Sequence, residues 1–223
     1  MDFGLLSIVS AFDLKYIDLN DAETLIEKML NTIINLQKWN GHLYNWYNTK
    51  NLEPLYPRYV STVDSGNFIG YLYTLKSFLK ETTQREDLIR VIDNIIKNTD
   101  FKVLYDYKKR LFSIGYNVEE NKQTDSYYDL IASEARQASL IAIAKRDIPE
   151  KHWNSLSRTL TTLNRYKGLI SWSGTAFEYL MPNVNIKTYK GSLLDESCRF
   201  MIMSQMKYAK KLRYTMGYFR SGI

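Results

Sequence analysis

Apolar residues recur at helical spacing along most of this chain, and that period decides which folds are open to it. Leu25, Ile26, Met29, Leu30, Ile33 and Ile34 fall on one face of a helix, with Asn20 or Asp21 as its predicted cap. Ile89, Ile92, Ile95 and Ile96 mark a second such face, and Leu194, Met201, Ile202 and Tyr208 a third. Further helices are predicted over roughly 3–15, 64–80, 85–98, 126–145, 150–156 and 192–212. Alternating patterns are few and short, with candidate strands at about 111–116 and 168–172. No repeat, charge block or Ser/Pro-rich linker divides the 223 residues. The expected fold class is therefore all-α, one domain of helices with functional loops gathered at their ends.

Three segments, at about 40–62, 100–125 and 168–191, are too long to be mere connections. They are rich in aromatic, Gly and Pro residues, and the whole chain holds 18 Tyr and 14% aromatics. Tyr stacks and hydrogen-bonds with one side chain, so the excess favours a polar cleft for flat or ring-shaped ligands. The net charge of +6 is scattered, as in Lys108-Lys109-Arg110 and Lys210-Lys211, and no nucleic-acid motif accompanies it. No nucleic-acid partner is expected. Cys198 is the single cysteine, which rules out an intrachain disulfide and suits a reducing compartment. His42 and His152 lack metal-ligand spacing, so neither a metal nor a cofactor is expected. No apolar run approaches the roughly 18–20 residues needed to span a bilayer, and the first residues lack a signal-peptide pattern. A cytoplasmic location without membrane insertion is the expectation.

The segment Gly168 to Pro182 combines Trp172, Ser173, Thr175 and Glu178, the last flanked by Phe177 and Tyr179. An aromatic plate beside hydroxyls and a carboxylate is what a sugar requires, because a pyranose has apolar C–H faces and a hydroxyl rim. Gly41 to Tyr47 and Pro57 to Asn67 form a second constellation, in which Asn45, Trp46 and Asp64 would line one end of a saccharide groove. Asp64 or Ser65 would also cap the following helix. In the third, Tyr127, Leu130, Ile131 and Glu134 share one face of the helix predicted over 126–145. Ala132 and Ala135 leave room beside Glu134, and apolar neighbours would raise its pKa toward that of a general acid. The competing reading is a surface glutamate paired with Arg136 or Lys145.

These segments, together with Leu111 to Asn117, resemble the transglycosylation domain of cyclic β-1,2-glucan synthases, relatives of glycoamylase-like and endo-β-1,2-glucanase families. The matched blocks are Gly41–Tyr47, Pro57–Asn67, Leu111–Asn117, Tyr127–Arg136 and Ser171–Pro182, in collinear order across essentially the whole chain. The resemblance implies part of an (α/α)6 toroid whose loops build a cleft for β-1,2-glucan. It implies retaining transglycosylation, with cyclisation when the acceptor is the far end of the same glucan. Retention uses two carboxyl groups about 5–5.5 Å apart, one serving as acid and then base. Glu134 matches the acid/base. His42, Asn45, Trp46, Tyr47, Asp64, Ser65, Asp125, Tyr127, Asp129, Trp172, Ser173, Phe177, Glu178 and Tyr179 match cleft positions.

The chain departs from this pattern at one place. The family continues with a motif close to Trp-Gly-Ile-Ser-Glu-Ser, whose Glu matches the nucleophile, whereas this chain reads Met216-Gly217-Tyr218-Phe219-Arg220-Ser221. A guanidinium cannot attack an anomeric carbon, so Arg220 at the nucleophile position implies impaired transfer. The resemblance also implies a partial domain over residues 1–223, with the N- and C-terminal parts of the family domain missing and the remaining synthase regions needed as partners. Met201, Ile202 and Met206 are then expected as uncovered apolar surface. Two further readings stay open: an endo-β-1,2-glucan hydrolase, and a catalytically dead glucan-binding remnant.

Overall fold

The computed structural model describes residues 2–212. Its eight α-helices are α1 (Asp2–Asp13), α2 (Leu19–Asn35), α3 (Thr62–Thr82), α4 (Glu86–Asn98), α5 (Arg136–Ala144), α6 (Lys151–Ser155), α7 (Ala176–Leu180) and α8 (Leu193–Leu212). The loops between them are not irregular. They contain ten short strands: β1 (Lys38–Trp39), β2 (His42–Leu43), β3 (Tyr59–Ser61), β4 (Tyr105–Asp106), β5 (Leu111–Ser113), β6 (Gly115–Asn117), β7 (Lys122–Gln123), β8 (Tyr127–Tyr128), β9 (Leu160–Leu163) and β10 (Tyr166–Leu169). These pair antiparallel into β1-β2, β3-β6-β7, β4-β5-β8 and β9-β10. The all-α expectation is corrected to a helical frame carrying small sheets. The candidate strands at about 111–116 and 168–172 fall on β5, β6 and β10, whereas the other strands, of two to four residues, are too brief for a period of two to stand out in the sequence.

The helical frame turns on α3. Its residues are buried almost all round, from Val63 and Phe68 through Leu72 to Leu79, because α1, α4 and α5 pack against it on different sides. The other helices bury one stripe each, as in Ala22, Ile26, Leu30 and Ile33 of α2. A second, smaller core joins Ile131, Leu156, Leu169, Tyr179, Cys198 and Met201, where α8 lies across β10. Met201 is therefore buried, not uncovered as expected. Ile202 and Met206 are exposed. No helix among the described residues is long and apolar enough to cross a membrane.

Gly66 sets how closely α3 and α5 approach. A Cβ built there would lie 2.4 Å from Ala138 Cβ and 2.5 Å from its Cα, which is backbone that cannot yield. Gly66→Ala is expected to destabilise the fold by about 1–3 kcal/mol, although alanine is the better helix former. Urea denaturation checks this, and a variant as stable as the parent would show that the crossing is loose.

Three local expectations fail for identifiable reasons. Asp18, not Asn20 or Asp21, caps α2, accepting from the Asp21 amide at 2.8 Å. Ser61 caps α3 by accepting from the Asp64 amide, so Asp64 sits inside the first turn with its carboxylate free of the capping role. The helix predicted over 126–145 forms only from Arg136. Tyr128 pairs with Phe112 in β5, and the Ile131 amide donates to Ser157, whose own amide donates to Asp129. Those backbone groups are committed to β5 and to the 157 segment and are not open to a helix.

Candidate functional site

The loop after α2 and the first turns of α3 enclose a groove of about 450 Å³, closed on its far side by α7. His42, Asn45, Trp46, Tyr47, Asp64, Ser65 and Phe177, all singled out from the sequence, line it together. Their roles differ. Trp46 and Phe177 are about half exposed and form apolar walls, and Asp64 is exposed at the rim. Asn45 orders the groove, its Oδ1 accepting from the Ser61 amide at 3.1 Å. The Tyr47 hydroxyl donates to the Gln37 carbonyl and accepts from the Tyr44 amide, fixing the loop from within. His42 is 1% exposed, its Nε2 lies 2.8 Å from the Asp100 carbonyl, and Phe101 packs edge-on against its ring. Burial pulls its pKa down to about 4, so the ring is neutral, and its Nδ1 has no hydrogen-bond partner among the described residues.

Beyond the groove lies the loop 171–178, organised by one carboxylate. Glu178 is 6% exposed and accepts from the Ser171, Ser173 and Thr175 hydroxyls and from the Ser173 and Thr175 amides, at 2.7 to 3.3 Å. The Thr175 hydroxyl in turn accepts from the Glu178 amide, which completes a capping box at the start of α7. Burial pushes the Glu178 carboxyl upward, but these hydrogen bonds outweigh it and hold the pKa below the ordinary value. Trp172 is left 55% exposed on this scaffold, its indole N–H donating to Asp129 Oδ1 at 2.8 Å. The Tyr128 ring stands 6.2 Å from the Trp172 ring.

Glu134 occupies the turn just before α5. Its only side-chain hydrogen bond is from the Ser133 hydroxyl at 3.3 Å, among the described residues. Partial burial is the main cause that raises its pKa, and the negative charge of Glu178 adds to it. Of the two cations expected from the sequence as partners, neither makes an ion pair with Glu134 among the described residues, although the charge of Arg136 acts against the rise in its pKa. Arg136 is buried and donates to the carbonyls of Ser133, Glu178 and Tyr179 and to Asn183 Oδ1, while Lys145 pairs with Asp147 at 2.9 Å. Arg136 thereby clamps the Glu134 turn to the end of α7. Tyr128 lies between the two halves of the site: after burial, the charges of Glu134 and Asp64 push its phenol pKa up. A half-buried carboxyl with no ion pair among the described residues can hold and release a proton next to a bound ring.

No family model matches the chain. It resembles the cyclic β-(1,2)-glucan synthase NdvB of Rhizobium meliloti (strain 1021). The identity is 26% over an alignment 334 positions long, gaps included, covering 93% of this chain and 12% of that protein. Its fold is that of an endo-β-1,2-glucanase from Chitinophaga pinensis solved with sophorotriose and glucose, with a TM-score of 0.82 and 13% identity. That match covers 97% of this chain and 57% of the other. A β-1,2-glucanase from Parabacteroides distasonis matches with a TM-score of 0.79 and 13% identity, over 99% and 37% of the two chains. An endo-β-1,2-glucanase from Talaromyces funiculosus, solved with sophorose, matches at 0.69 and 11%, over 87% and 46%. The chain spans about an eighth of NdvB and between a third and three fifths of these structures.

Several residues chosen from the sequence serve the scaffold instead of the cleft. Glu178, expected at the sugar rim, spends its oxygens on its own loop, and Ser173 spends its hydroxyl on Glu178. The Thr175-to-Glu178 spacing carries the capping-box signature that marks this role. Tyr179 is 3% exposed and donates to the Leu169 carbonyl. Tyr127 shares no helix face with Glu134; its hydroxyl donates to Asp106 and Lys109 lies over its ring. Asp125 is exposed, in the electrostatic field of Lys122. Arg220 lies outside the described residues. Tyr128 and Asn67 were missed, since neither a second tyrosine in a pair nor a mid-helix asparagine announces itself in sequence.

Proposed function

We propose that this chain is a carbohydrate-active domain of the β-1,2-glucan type, part of an (α/α)6 toroid, with Glu134 as acid/base of a retaining transglycosylation that includes cyclisation. The observation that carries the reading is Glu134 itself, a half-buried carboxyl without an ion-pair partner among the described residues, whose charge acts on Tyr128, the ring that stands beside Trp172. In that role Glu134 gives its proton to the leaving glycosidic oxygen while a carboxylate at the nucleophile position, which Arg220→Glu would supply, bonds to the anomeric carbon. As carboxylate, Glu134 then takes a proton from the acceptor hydroxyl. Trp172, held by Asp129, offers a stacking face, and Trp46, Asp64 and Phe177 receive the neighbouring sugar units. The resemblance to the synthase over 93% of the chain and the glucanase-like fold support the substrate class.

Position 220 decides what the chain does alone. Arginine supplies no nucleophile, so wild-type protein is expected to bind linear β-1,2-glucan and to transfer poorly. Mass spectrometry of linear β-1,2-glucan incubated with the parent and with Arg220→Glu tests this. New chain lengths or rings from the variant alone establish a competent acid/base and a lost nucleophile. Glucan binding without turnover by either protein marks a binding module, and absence of both sinks the proposal. The glucanase-like fold favours one second reading, an endo-hydrolase in which a base activates water and position 220 need not be acidic. Inverted product from the parent protein, seen by NMR, would decide for it.

A further inference from the structure

Asp64, Asn67, Phe68 and Tyr71 stand at the i, i+3, i+4 and i+7 positions of α3, and all four line the groove. Asp64 is at the rim, and Phe68 and Tyr71 are packed into the wall behind it. Asn67 is unlike its neighbours: it is 5% exposed, and its Oδ1 has no hydrogen-bond partner among the described residues. Ser65, on the flank of the same turn, is 6% exposed with an equally unpartnered Oγ. An unpaired buried acceptor costs about 1–3 kcal/mol. Native structures keep few such groups, and those they keep call for a specific explanation. Leucine at position 67 would keep the branching and the number of heavy atoms and remove that penalty. Because Asn67 lines the groove, a bound ligand can supply the donor that the fold does not.

The surroundings indicate which kind of partner. Trp46 and Phe177 present flat faces to the same groove, whose volume accommodates a short oligosaccharide. Among the described residues no Lys or Arg lines it, so the ligand is not selected by negative charge. Aromatic walls over a floor of neutral polar atoms fit a neutral pyranose, with C–H faces against the rings and hydroxyls directed downward.

We propose that Asn67, with Ser65 beside it, is the specificity-determining floor of a sugar subsite walled by Trp46 and Phe177, where the Asn67 carboxamide oxygen accepts a hydrogen bond from a pyranose hydroxyl. The assignment rests on the saccharide reading of the cleft and names the residues that read hydroxyl positions within it. A site built to hydrogen-bond a hydroxyl discriminates strongly against a ligand that cannot supply one there.

The test is calorimetric titration of β-1,2-, cello- and malto-oligosaccharides into the full chain, Asn67→Leu and Ser65→Ala, beside the Tm of each without sugar. Asn67→Leu is expected to lose about tenfold or more in affinity, and Ser65→Ala several-fold, with both Tm values equal to or above the parent's. Unchanged affinity in Asn67→Leu, or Tm values lowered in both variants, overturns the inference. If the parent binds β-1,2-oligosaccharides and Asn67→Leu binds them equally, the floor is wrong and the cleft reading stands. If the parent prefers cello- or malto-oligosaccharides and Asn67→Leu loses them, the floor stands and the linkage is wrong. If the parent binds none of them, both fall.

Discussion

Glu134→Gln is expected to lower glycosyl transfer or hydrolysis by about 10²–10⁴-fold, measured in whichever of the parent and Arg220→Glu is active. Glutamine keeps the shape and the Ser133 contact but cannot deliver a proton to the leaving oxygen. The same substitution has a second readout that needs no activity. Burial and the charge of Glu178 raise the Glu134 pKa in the folded state, so the folded chain holds this proton more tightly than the unfolded one. Between the unfolded and the raised folded pKa the native state therefore binds more protons, and stability falls as pH rises through that window. Above it the charged carboxylate is a constant burden, which the neutral amide of the variant lacks. The variant is expected to melt higher than the parent at neutral pH and to lose that part of the pH slope. General-acid activity should decline over the same window, since only the protonated form donates. A variant that melts lower at neutral pH would mean the carboxylate is stabilised by contacts that a neutral amide cannot replace, and the acid assignment would fail.

Glu178→Ala is expected to cost on the order of 3 kcal/mol or more, because it strands donors on Ser171, Ser173 and Thr175 that surround a buried carboxylate. The loop that carries Trp172 would lose its anchor, and glucan affinity is expected to fall with the fold's stability. Glu178→Gln should sit between the two, since its one remaining carbonyl oxygen can still accept the Thr175 amide. The pH dependence has the opposite sign to that of Glu134. The folded Glu178 pKa is depressed, so its contribution is present above the unfolded pKa and disappears as pH falls through the folded one. Parent protein should lose stability on acidification over this range, and Glu178→Ala should not. Urea denaturation at several pH values, with hydrogen exchange of the 173 and 175 amides, provides the measurement. Amides as protected in Glu178→Ala as in the parent would show that the loop is ordered without the carboxylate.

Much of the helical frame was legible in the chain. The stripe of α4 is buried where the 3.6 period places it, at Ile89, Ile92, Ile95 and Ile96, and that of α2 at Ile26, Leu30 and Ile33, while Leu25 and Ile34, expected on the same face, are exposed. Periodicity is a local property, and a helix closes its own hydrogen bonds, so such segments need only a surface to lie against. The groove residues from His42 to Ser65, with Phe177, came together although more than a hundred positions separate the last from the rest. Here the resemblance of whole sequence blocks carried information that periodicity does not. The segment 126–135 misled, because Tyr127, Leu130, Ile131 and Glu134 mimic a helix face while their backbone is bound to β5 and to Ser157.

The sequence by itself determined which residue types are present, where helices can form, and which blocks build a polar, aromatic cleft. Only the tertiary structure decided what each polar group faces. Glu134 and Glu178 are both glutamates beside aromatics, yet one has a single hydroxyl for company and the other is surrounded by hydroxyls and amides. Asn67 and Asn45 both line the groove, but the Asn45 acceptor is paired with the Ser61 amide and the Asn67 acceptor has no partner among the described residues. A side chain's pKa and its freedom to bind depend on burial and on neighbours brought from distant parts of the chain. Those distances do not exist until the chain has folded.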